Sequence, residues 1–156
     1  MKTVALELLE GNWNEIGEAA SEIRRIVFIE EQGVPQQEEW DGRDGDECRH
    51  FLALLDGDPV GTARLLPDAH IGRVAVLKEA RGLGIGEALM LATIEAARRD
   101  GQPAVELAAQ TQALAFYERL GFMAFCGEFF DAGILHRHMR LSLVDDLEAT
   151  PGQKEN

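Results

Sequence analysis

A glycine-rich turn between a strand and a helix is the sequence feature that most constrains the fold of this chain. Residues 70–76 are rich in β-branched side chains and predict a strand, and residues 84–100 place apolar side chains on one helical face. The turn between them contains the sequence Arg81-Gly82-Leu83-Gly84-Ile85-Gly86. Glycines let backbone N–H groups approach a ligand closely, and the first turn of a helix leaves N–H donors free for an anion. The pattern predicts an α/β fold and favours a pyrophosphate site, although such a turn can also be purely structural.

Two common nucleotide-binding motifs fit this turn poorly. A P-loop needs Gly-Lys-Ser/Thr at its end, but Gly86-Glu87-Ala88 stands there. A dinucleotide fingerprint needs glycine or alanine three residues after Gly86, where Leu89 stands, and an acid at a strand end about 20 residues further on. The sequence therefore disfavours ATP and NAD as ligands of the turn.

The hydrophobic pattern of the whole chain gives the element order β-α-β-β-β-α-β-α-β-β. Helices are predicted over residues 14–32, 84–100 and 112–120, and strands over residues 3–10, 50–55, 60–66, 70–76, 104–109, 123–129 and 135–143. Asp56-Gly57 between the second and third strands is a strong hairpin signal. This order predicts a mixed sheet with helices on its faces.

Length and composition indicate one globular domain. The chain has 156 residues, and we assign residues 1–144 to a single domain and residues 145–156 to a polar, frayed tail. No apolar run approaches the roughly 20 residues that span a bilayer, and the N-terminus acquires carboxylates too early for a secretory signal. With only two cysteines, Cys48 and Cys126, a reducing cytoplasm is the expected compartment.

The net charge excludes polyanionic partners. Fifteen Lys and Arg stand against 28 Asp and Glu, which gives a formal net charge of −13. Such a chain is not expected to bind nucleic acid or an anionic membrane. The acids are concentrated in residues 30–47, where eight of them stand against Arg43 alone. This acidic stretch lacks the spacing of a calcium-binding EF-hand loop.

Two motifs in the correct order resemble the signatures of the GNAT superfamily of N-acetyltransferases. The first is Val74-Ala75-Val76 followed by Arg81-x-x-Gly84-x-Gly86, and the second is Gln110-x-x-Ala113-x-x-Phe116-Tyr117-x-x-x-Gly121-Phe122. The segments Arg25-x-Val27-Phe28-x-Glu30-Glu31-Gln32-x-Val34-Pro35, Glu39-x-Asp41 and Asp131-Ala132-Gly133-Ile134-Leu135-His136 resemble the ElaA/YjcF-like branch. The resemblance covers roughly residues 3 to 143. One departure is Gln110, because many members have asparagine there.

The resemblance implies a GNAT-like fold, with a central mixed, mostly antiparallel sheet of about seven strands flanked by helices. It implies acetyl-CoA as cosubstrate and an amine as acceptor. It is also compatible with a homodimer. Arg81, Lys78 and Arg73 are expected to attract the cofactor's phosphates. The cofactor-binding residues carried over from the family are Val74, Ala75, Val76, Arg81, Gly82, Leu83, Gly84, Ile85, Gly86, Gln110 and Phe116.

Direct acetyl transfer to an amine makes specific chemical demands. A lysine-like amine has a pKa near 10.4, so freeing its lone pair at pH 7 costs about 4–5 kcal/mol and calls for a base. The resemblance makes Glu31 the first candidate for that base and His136 the second, and Tyr117 matches the proton donor to the leaving thiolate. The N–H of Val76 matches the group that stabilises the oxyanion. Solvent exposure of Glu31 and simple packing of His136 or Tyr117 are the alternatives.

We expect no metal site, because His136 and His138 share one face of a strand but no third ligand has suitable spacing. The predicted function is acetyl-CoA-dependent N-acetylation, by direct transfer, of a primary amine on a small molecule. The alternatives are a non-catalytic acyl-CoA-binding sensor or assembly subunit, and a nucleotide-binding domain. The acidic stretch either favours a cationic amine or is solvated surface.

Overall fold

The computed structural model describes residues 5–45 and 47–144, and it contains seven strands. The strands are β1 (Leu6–Gly11), β2 (Arg49–Leu55), β3 (Asp58–Leu65), β4 (Ile71–Val76), β5 (Ala104–Gln110), β6 (Met123–Asp131) and β7 (Ile134–Ser142). The α-helices are α1 (Trp13–Arg24), α2 (Gln36–Glu39), α3 (Ile85–Arg99) and α4 (Leu114–Arg119). Two short 3-10 helices cover Lys78–Ala80 and Thr111–Ala113. The predicted tail, residues 145–156, lies outside the described residues.

The strands confirm the predicted mixed, mostly antiparallel architecture, but they divide into two sheets. One sheet has the order β1-β2-β3-β4 and the other has the order β5-β7-β6, with antiparallel neighbours throughout. Among the described residues, one parallel bridge between His70 and Glu106 joins them. β4 and β5 start side by side at this bridge and run in the same direction, and their C-terminal ends border an opening.

Two tight turns fix the hairpins. Asp56 and Gly57 have φ angles of 52° and 88°, and Ala132 and Gly133 have φ angles of 52° and 76°. Positive φ at both central residues is the signature of the two-residue turn that suits the twist of a hairpin. The Asp56-Gly57 hairpin was predicted from the sequence. The loop between β6 and β7 is shorter than predicted, because the strands extend beyond their predicted ends at residues 129 and 135.

The first predicted helix, residues 14–32, consists of two different segments. α1 begins with a capping box, in which the Asn12 side chain accepts from the Glu15 N–H and the Glu15 carboxylate accepts from the Asn12 N–H. Beyond Arg24 the chain continues as a π-helix, Arg25–Glu31, which we call the π segment. π-helices are rare and occur often at functional sites.

Apolar side chains pack on both faces of the four-stranded sheet. Alternate residues of β2 point to opposite faces, so Phe51 and Ala53 belong to the core beneath α3 while Leu52 packs beneath α1. α3 approaches β3 closely, because a Cβ at Gly61 would lie 2.9 Å from the Cδ1 of Leu89. The two helices therefore hold the sheet between them and fix the position of β4.

Part of the acidic stretch has a structural role that the sequence did not indicate, because three of its acids bind arginines. Glu39 accepts from the Arg24 Nε at 2.6 Å, Asp44 from the Arg24 Nη1 at 2.9 Å, and Asp41 from the Arg64 Nη2 at 2.9 Å. Arg73 completes this arginine–carboxylate network, with its Nε 3.2 Å from Glu39 and its Nη2 3.1 Å from Asp41. Arg24, Arg64 and Glu39 are almost fully buried. Asp46, from the same stretch, lies outside the described residues.

Candidate active site

A cavity of about 530 Å³ lies between the C-terminal halves of β4 and β5. The π segment and α2 close one side of it, and the turn between β6 and β7 closes another. Its polar lining residues are Gln32, Glu38, Glu39, Arg73, Arg81, Gln110, Gln112, Tyr117, Asp131 and His136. Much of the remaining wall is apolar and includes Val27, Phe28, Val34, Val74, Val76, Leu107 and Ile134. The size and the mixed lining are those of a ligand site.

A β-bulge in β4 shapes the opening between the sheets. Thr62 pairs with Ala75 and Arg64 pairs with Gly72, so β4 contains one residue more than β3 over this interval. Arg73 lies in the bulge with a φ of 50°, which is a costly backbone conformation for a residue other than glycine. Bulges bend a strand and occur often beside active sites. The bulge lies next to the single bridge between His70 and Glu106, beyond which β4 and β5 are not paired in the described residues.

The Arg73 side chain crosses from the bulge to α2. Its Nη2 donates to the carbonyl oxygens of Glu38 at 3.2 Å and Glu39 at 3.0 Å, in addition to its ion pairs with the network. The sequence suggested a phosphate-attracting role for Arg73. Its guanidinium instead ties α2 to β4 and so holds one wall of the cavity.

The glycine-rich turn presents its backbone openly at the start of α3. Gly82 and Gly84 have φ angles of +81° and +82°, and a Cβ at either position would meet nothing within 4 Å. Gly84 is the N-cap of α3, and no side chain of the described residues caps this helix. A Cβ at Gly86 would lie 3.5 Å from the ring of Phe116, which places that ring beside the turn. These features suit the binding of an anion by backbone N–H groups.

Arg81 joins the turn to two other elements. Its Nη1 and Nη2 donate to the two carboxylate oxygens of Glu31 at 2.8 and 2.7 Å, and its Nε donates to the Val76 carbonyl at 2.9 Å. The hydrogen bonds from Arg81 lower the pKa of Glu31. Arg81 lines the cavity, whereas Glu31 does not. Two residues that the sequence assigned to different roles, phosphate binding and proton abstraction, thus bind each other.

A second polar contact links the same end of the π segment to β5. The Nε2 of Gln110 donates to the Oε1 of Gln32 at 2.9 Å. Gln32 lies in one of the motifs that carry the family resemblance, but the sequence gave no reason to assign it a role. The neighbouring residues Glu31 and Gln32 therefore contact opposite sides of the opening. Glu31 binds Arg81 in the loop after β4, and Gln32 binds Gln110 at the end of β5.

Tyr117 lines the cavity from α4. Its ring packs edge-to-face on Phe116 and Phe122, with centroid separations of 5.0 and 5.9 Å. Burial raises the pKa of Tyr117 to about 12. The phenol is therefore protonated at neutral pH and able to donate a proton or a hydrogen bond into the cavity.

His136 lies in β7 and lines the cavity with only 9% of its surface exposed. Its Nδ1 lies 2.7 Å from the Ile134 carbonyl, which can only accept, so Nδ1 is the protonated nitrogen. In the neutral ring, Nε2 then has its lone pair free to accept a proton. Phe129 stacks on the ring at a centroid distance of 5.7 Å, and the same Phe129 stacks on His138 at 4.4 Å. The predicted common face of the two histidines is confirmed.

Half of the site residues predicted from the sequence line this cavity. The cavity is lined by Val74, Ala75, Val76, Arg81, Gln110, Tyr117 and His136, while Glu31, Phe116 and the turn from Gly82 to Gly86 are outside its lining. Glu38 and Asp131 line it as well, and the sequence offered only their membership of an acidic stretch and of a family motif. Within residues 5–45 and 47–144, no cluster of three His, Cys, Asp or Glu side chains has metal-binding geometry. No helix in these ranges is long and apolar enough to span a membrane.

Comparison with known proteins gives consistent results. Residues 24–143 match the acetyltransferase (GNAT) domain family. Protein BSU40680 of Bacillus subtilis (strain 168) is 42% identical over 123 residues, which cover 75% of this chain and 83% of that protein. The uncharacterized N-acetyltransferase YjcF of the same organism is 39% identical over 121 residues, which cover 75% of this chain and 86% of YjcF.

Two crystal structures share both the fold and a substantial part of the sequence. An acyl-CoA N-acyltransferase from Pseudomonas aeruginosa superposes with a TM-score of 0.80 at 32% identity, covering 88% of this chain and 100% of the other. Escherichia coli ElaA superposes with a TM-score of 0.79 at 30% identity, covering 87% of this chain and 99% of ElaA.

Proposed function

The chain belongs to the GNAT acetyltransferase family and is an acyltransferase, and from this premise we propose that it transfers the acetyl group of acetyl-CoA directly to a primary amine of a small molecule. One observation carries the proposal: Tyr117 and His136 line the same cavity as the end of β4, directly beside the glycine-rich turn. That arrangement provides a protonated donor, an acceptor of protons and strand backbone around one space large enough for a thioester and an amine.

His136 fits the role of general base better than Glu31. It lines the cavity, and its Nδ1 contact with the Ile134 carbonyl leaves Nε2 as the proton acceptor. The carboxylate of Glu31 is engaged by Arg81 through two hydrogen bonds, and the lowered pKa that results makes it a weaker base. In this proposal His136 takes a proton from the acceptor ammonium, directly or through one water, and Glu31 positions Arg81.

The remaining steps are assigned to the end of β4 and to Tyr117. Attack of the amine on the thioester places negative charge on the carbonyl oxygen, and the Val76 N–H is the proposed donor to this oxyanion. Collapse of the intermediate breaks the C–S bond and releases the thiolate of CoA, while the nitrogen loses its second proton to solvent and becomes the amide nitrogen. Tyr117, protonated at neutral pH, is the proposed donor of a proton to that sulfur.

The cofactor's pyrophosphate is assigned to the glycine-rich turn. The proposed ligands are the backbone N–H groups from Gly82 to Gly86 together with the first turn of α3, and Gln110 and Phe116 would contact the rest of the cofactor. Support comes from the open space at Gly82 and Gly84 and from the uncapped N-terminus of α3. The cytoplasm as compartment and a homodimer as assembly remain proposals from the sequence.

Ligand-induced stabilisation tests the cofactor assignment without knowledge of the acceptor. Acetyl-CoA, CoA, ATP and NAD are compared by thermal unfolding; a ligand at 100 times its Kd adds about 2.7 kcal/mol, which raises the Tm by roughly 5–10 °C for a chain of this size. Stabilisation by acetyl-CoA and CoA but not by ATP or NAD supports the proposal. No shift with either CoA species at saturation contradicts it.

A further inference from the structure

We propose that the acceptor is an aliphatic amine with a second positive charge, of the diamine or polyamine class, and that Glu38 and Asp131 select it. This inference rests on the proposed acetyl transfer and specifies its substrate class. Both acids line the cavity, Glu38 from α2 and Asp131 from the end of β6, and both are exposed to solvent.

Some charged residues of the cavity lining are already held in ion pairs within the described part of the protein, and others are free to bind a ligand. Arg73 is paired with Glu39 and Asp41, and Arg81 is paired with Glu31 at 2.7 Å. Glu39 is also held by Arg24 at 2.6 Å. Among the described residues, Glu38 and Asp131 form no ion pair within 4.0 Å. The uncompensated charges of the wall are therefore both negative, which favours a cationic ligand and disfavours an anionic one.

A second observation locates the reacting end of that ligand. His136 is nine-tenths buried in the cavity wall, and its Nδ1 is engaged with the Ile134 carbonyl, so only Nε2 is left to face a ligand. Among the described residues, the hydrogen bond of this ring is made by Nδ1, so Nε2 is open to a polar group of a ligand. An amine docked at His136 would supply that group, and Asp131 and Ile134 lie in the same cavity wall as this histidine.

The rest of the wall suits the chain between two amines. Val27, Phe28, Val34 and Ile134 are apolar and give methylene groups a surface on which to pack. A hydrophilic acceptor such as an amino acid would bring a carboxylate toward two unpaired acids. An aliphatic diamine would place one amine at His136, its methylenes on the apolar wall, and its distal ammonium where both Glu38 and Asp131 attract it.

Steady-state kinetics with matched amines test the inference. At saturating acetyl-CoA, thiol release is measured with putrescine, which has two amines on four carbons, and with butylamine, which has one. An accessible ion pair to a ligand is worth roughly a fewfold in affinity, so two carboxylates together predict a kcat/KM about tenfold higher for putrescine. The preference should shrink as salt is added, because both acids are exposed.

Variants assign the preference to the two acids. Glu38→Gln and Asp131→Asn each lower kcat/KM for putrescine, and the double variant brings the ratio of kcat/KM for putrescine to that for butylamine close to one. Glu7→Gln, which removes an exposed acid on β1 away from the cavity, is the matched control and keeps the preference. Equal kcat/KM for the two amines in the wild type, or a preference that persists in the double variant, overturns the inference.

A binding experiment separates failure of this inference from failure of the proposed function. The Tm is measured with CoA alone and with CoA plus each amine, which requires no turnover. A further rise with putrescine, absent with butylamine and lost in the double variant, supports the inference. Stabilisation by CoA with no additional effect of putrescine overturns the substrate class alone. Absence of stabilisation by CoA and of thiol release overturns both.

Discussion

Glu31 illustrates how a single contact changes the interpretation of a residue. From the sequence it was the first candidate for the general base, but its carboxylate receives two hydrogen bonds from Arg81, which in turn donates to the carbonyl at the end of β4. A carboxylate held in this way is well suited to fix an arginine and poorly suited to accept a proton. Substitution of Glu31 by the neutral glutamine therefore has one expected effect on activity if Glu31 is the general base and another if it positions Arg81.

We expect Glu31→Gln to lower kcat by less than about tenfold and to leave the pH dependence of kcat/KM unchanged, because a positioning residue does not titrate during the reaction. Arg81→Lys is the matched variant, since it keeps the charge but loses the forked geometry that binds both carboxylate oxygens. Similar losses in the two variants support a shared positioning role. A loss of 100-fold or more in Glu31→Gln alone, with an altered pH profile, restores Glu31 as the base.

Tyr117 carries the prediction that separates an enzyme from a binding module. Burial raises its pKa to about 12, so it stays protonated at neutral pH and is a donor to a thiolate. Tyr117→Phe keeps the ring that packs on Phe116 and Phe122 and removes only the hydroxyl. Loss of a general acid costs typically 10²–10⁴-fold. Transfer should therefore fall at least about 100-fold while CoA still raises the Tm.

Unchanged transfer in Tyr117→Phe would assign the proton donor to another group. Absence of transfer to any amine in the wild type, with CoA binding retained in both proteins, would favour the non-catalytic acyl-CoA-binding alternative. Phe116→Leu is a useful comparison, because it alters the packing beside the glycine-rich turn and leaves the hydroxyl in place.

At the scale of elements, alanine substitutions at two positions of the glycine-rich turn should differ in their effect on stability. Gly84 has a φ of +82°, so alanine there should lower the free energy of unfolding by about 1–2 kcal/mol. Gly86 lies in the first turn of α3, where a Cβ would be in ordinary contact with Phe116 at 3.5 Å and alanine is the better helix former. Gly86→Ala should therefore fold as well as the wild type.

Ligand binding distinguishes the two variants further. If the pyrophosphate contacts the backbone at Gly86, the added methyl group of Gly86→Ala weakens CoA binding in a protein of full stability. Denaturant unfolding and CoA titration of the same preparations give both quantities. A Gly86→Ala variant that binds CoA with wild-type affinity would remove this glycine from the proposed phosphate site.

Elements with strong periodicity or an explicit turn signal were predictable. The Asp56-Gly57 hairpin, α3 and the strand before the glycine-rich turn all lie within a few residues of their predicted limits. The four-residue α2 was not predicted, because one helical turn is too short to show a 3.6-residue repeat. The π segment shares the apolar faces of an ordinary helix, so its altered hydrogen bonding leaves little trace in the sequence.

The candidate site divides in the same way. The glycine-rich turn and Tyr117 belong to motifs of neighbouring residues, and such motifs can be recognised directly in the sequence. The pairing of Glu31 with Arg81 and of Gln32 with Gln110 joins residues 50 and 78 positions apart, and no local pattern specifies such contacts. The same is true of the arginine–carboxylate network, in which acids that resembled a solvated stretch are partners of arginines on α1, β3 and β4.

For the molecule as a whole, the network connects α1, the segment around α2 and the neighbouring strands β3 and β4. Arg64 binds Asp41 and Asp44, and Arg24 binds Glu39 and Asp44, so no acid of the network depends on one partner alone. Burial would raise the pKa of Asp41, but the hydrogen bonds and charge of Arg64, with help from Arg73, lower it to about 2. The folded state thus holds this carboxylate in its charged form more strongly than the unfolded state does.

The sign of the resulting pH dependence follows directly. A carboxyl whose pKa falls on folding, from 3.8 to about 2, contributes stability that is complete above its unfolded pKa and is lost as the pH falls through about 2. The full shift would correspond to roughly 2 kcal/mol at 1.36 kcal/mol per pH unit, but Asp41 is partly exposed and solvent screening reduces the contribution to about 1 kcal/mol. Asp41→Asn should therefore lower the free energy of unfolding at pH 7 by about this amount or more, since Arg64 and Arg73 lose a charged partner.

We expect the difference between wild type and Asp41→Asn to narrow as the pH is lowered from 5 toward 2, because protonation then removes the same charge from the wild type. Urea unfolding at a series of pH values measures this difference and cancels the acid sensitivity common to both proteins. Asp58→Asn, an exposed acid at the start of β3, should differ from the wild type by no more than about 0.5 kcal/mol throughout. A difference for Asp41→Asn that stays constant from pH 5 to pH 2 would show that Asp41 contributes through its shape and hydrogen bonds and not through its charge.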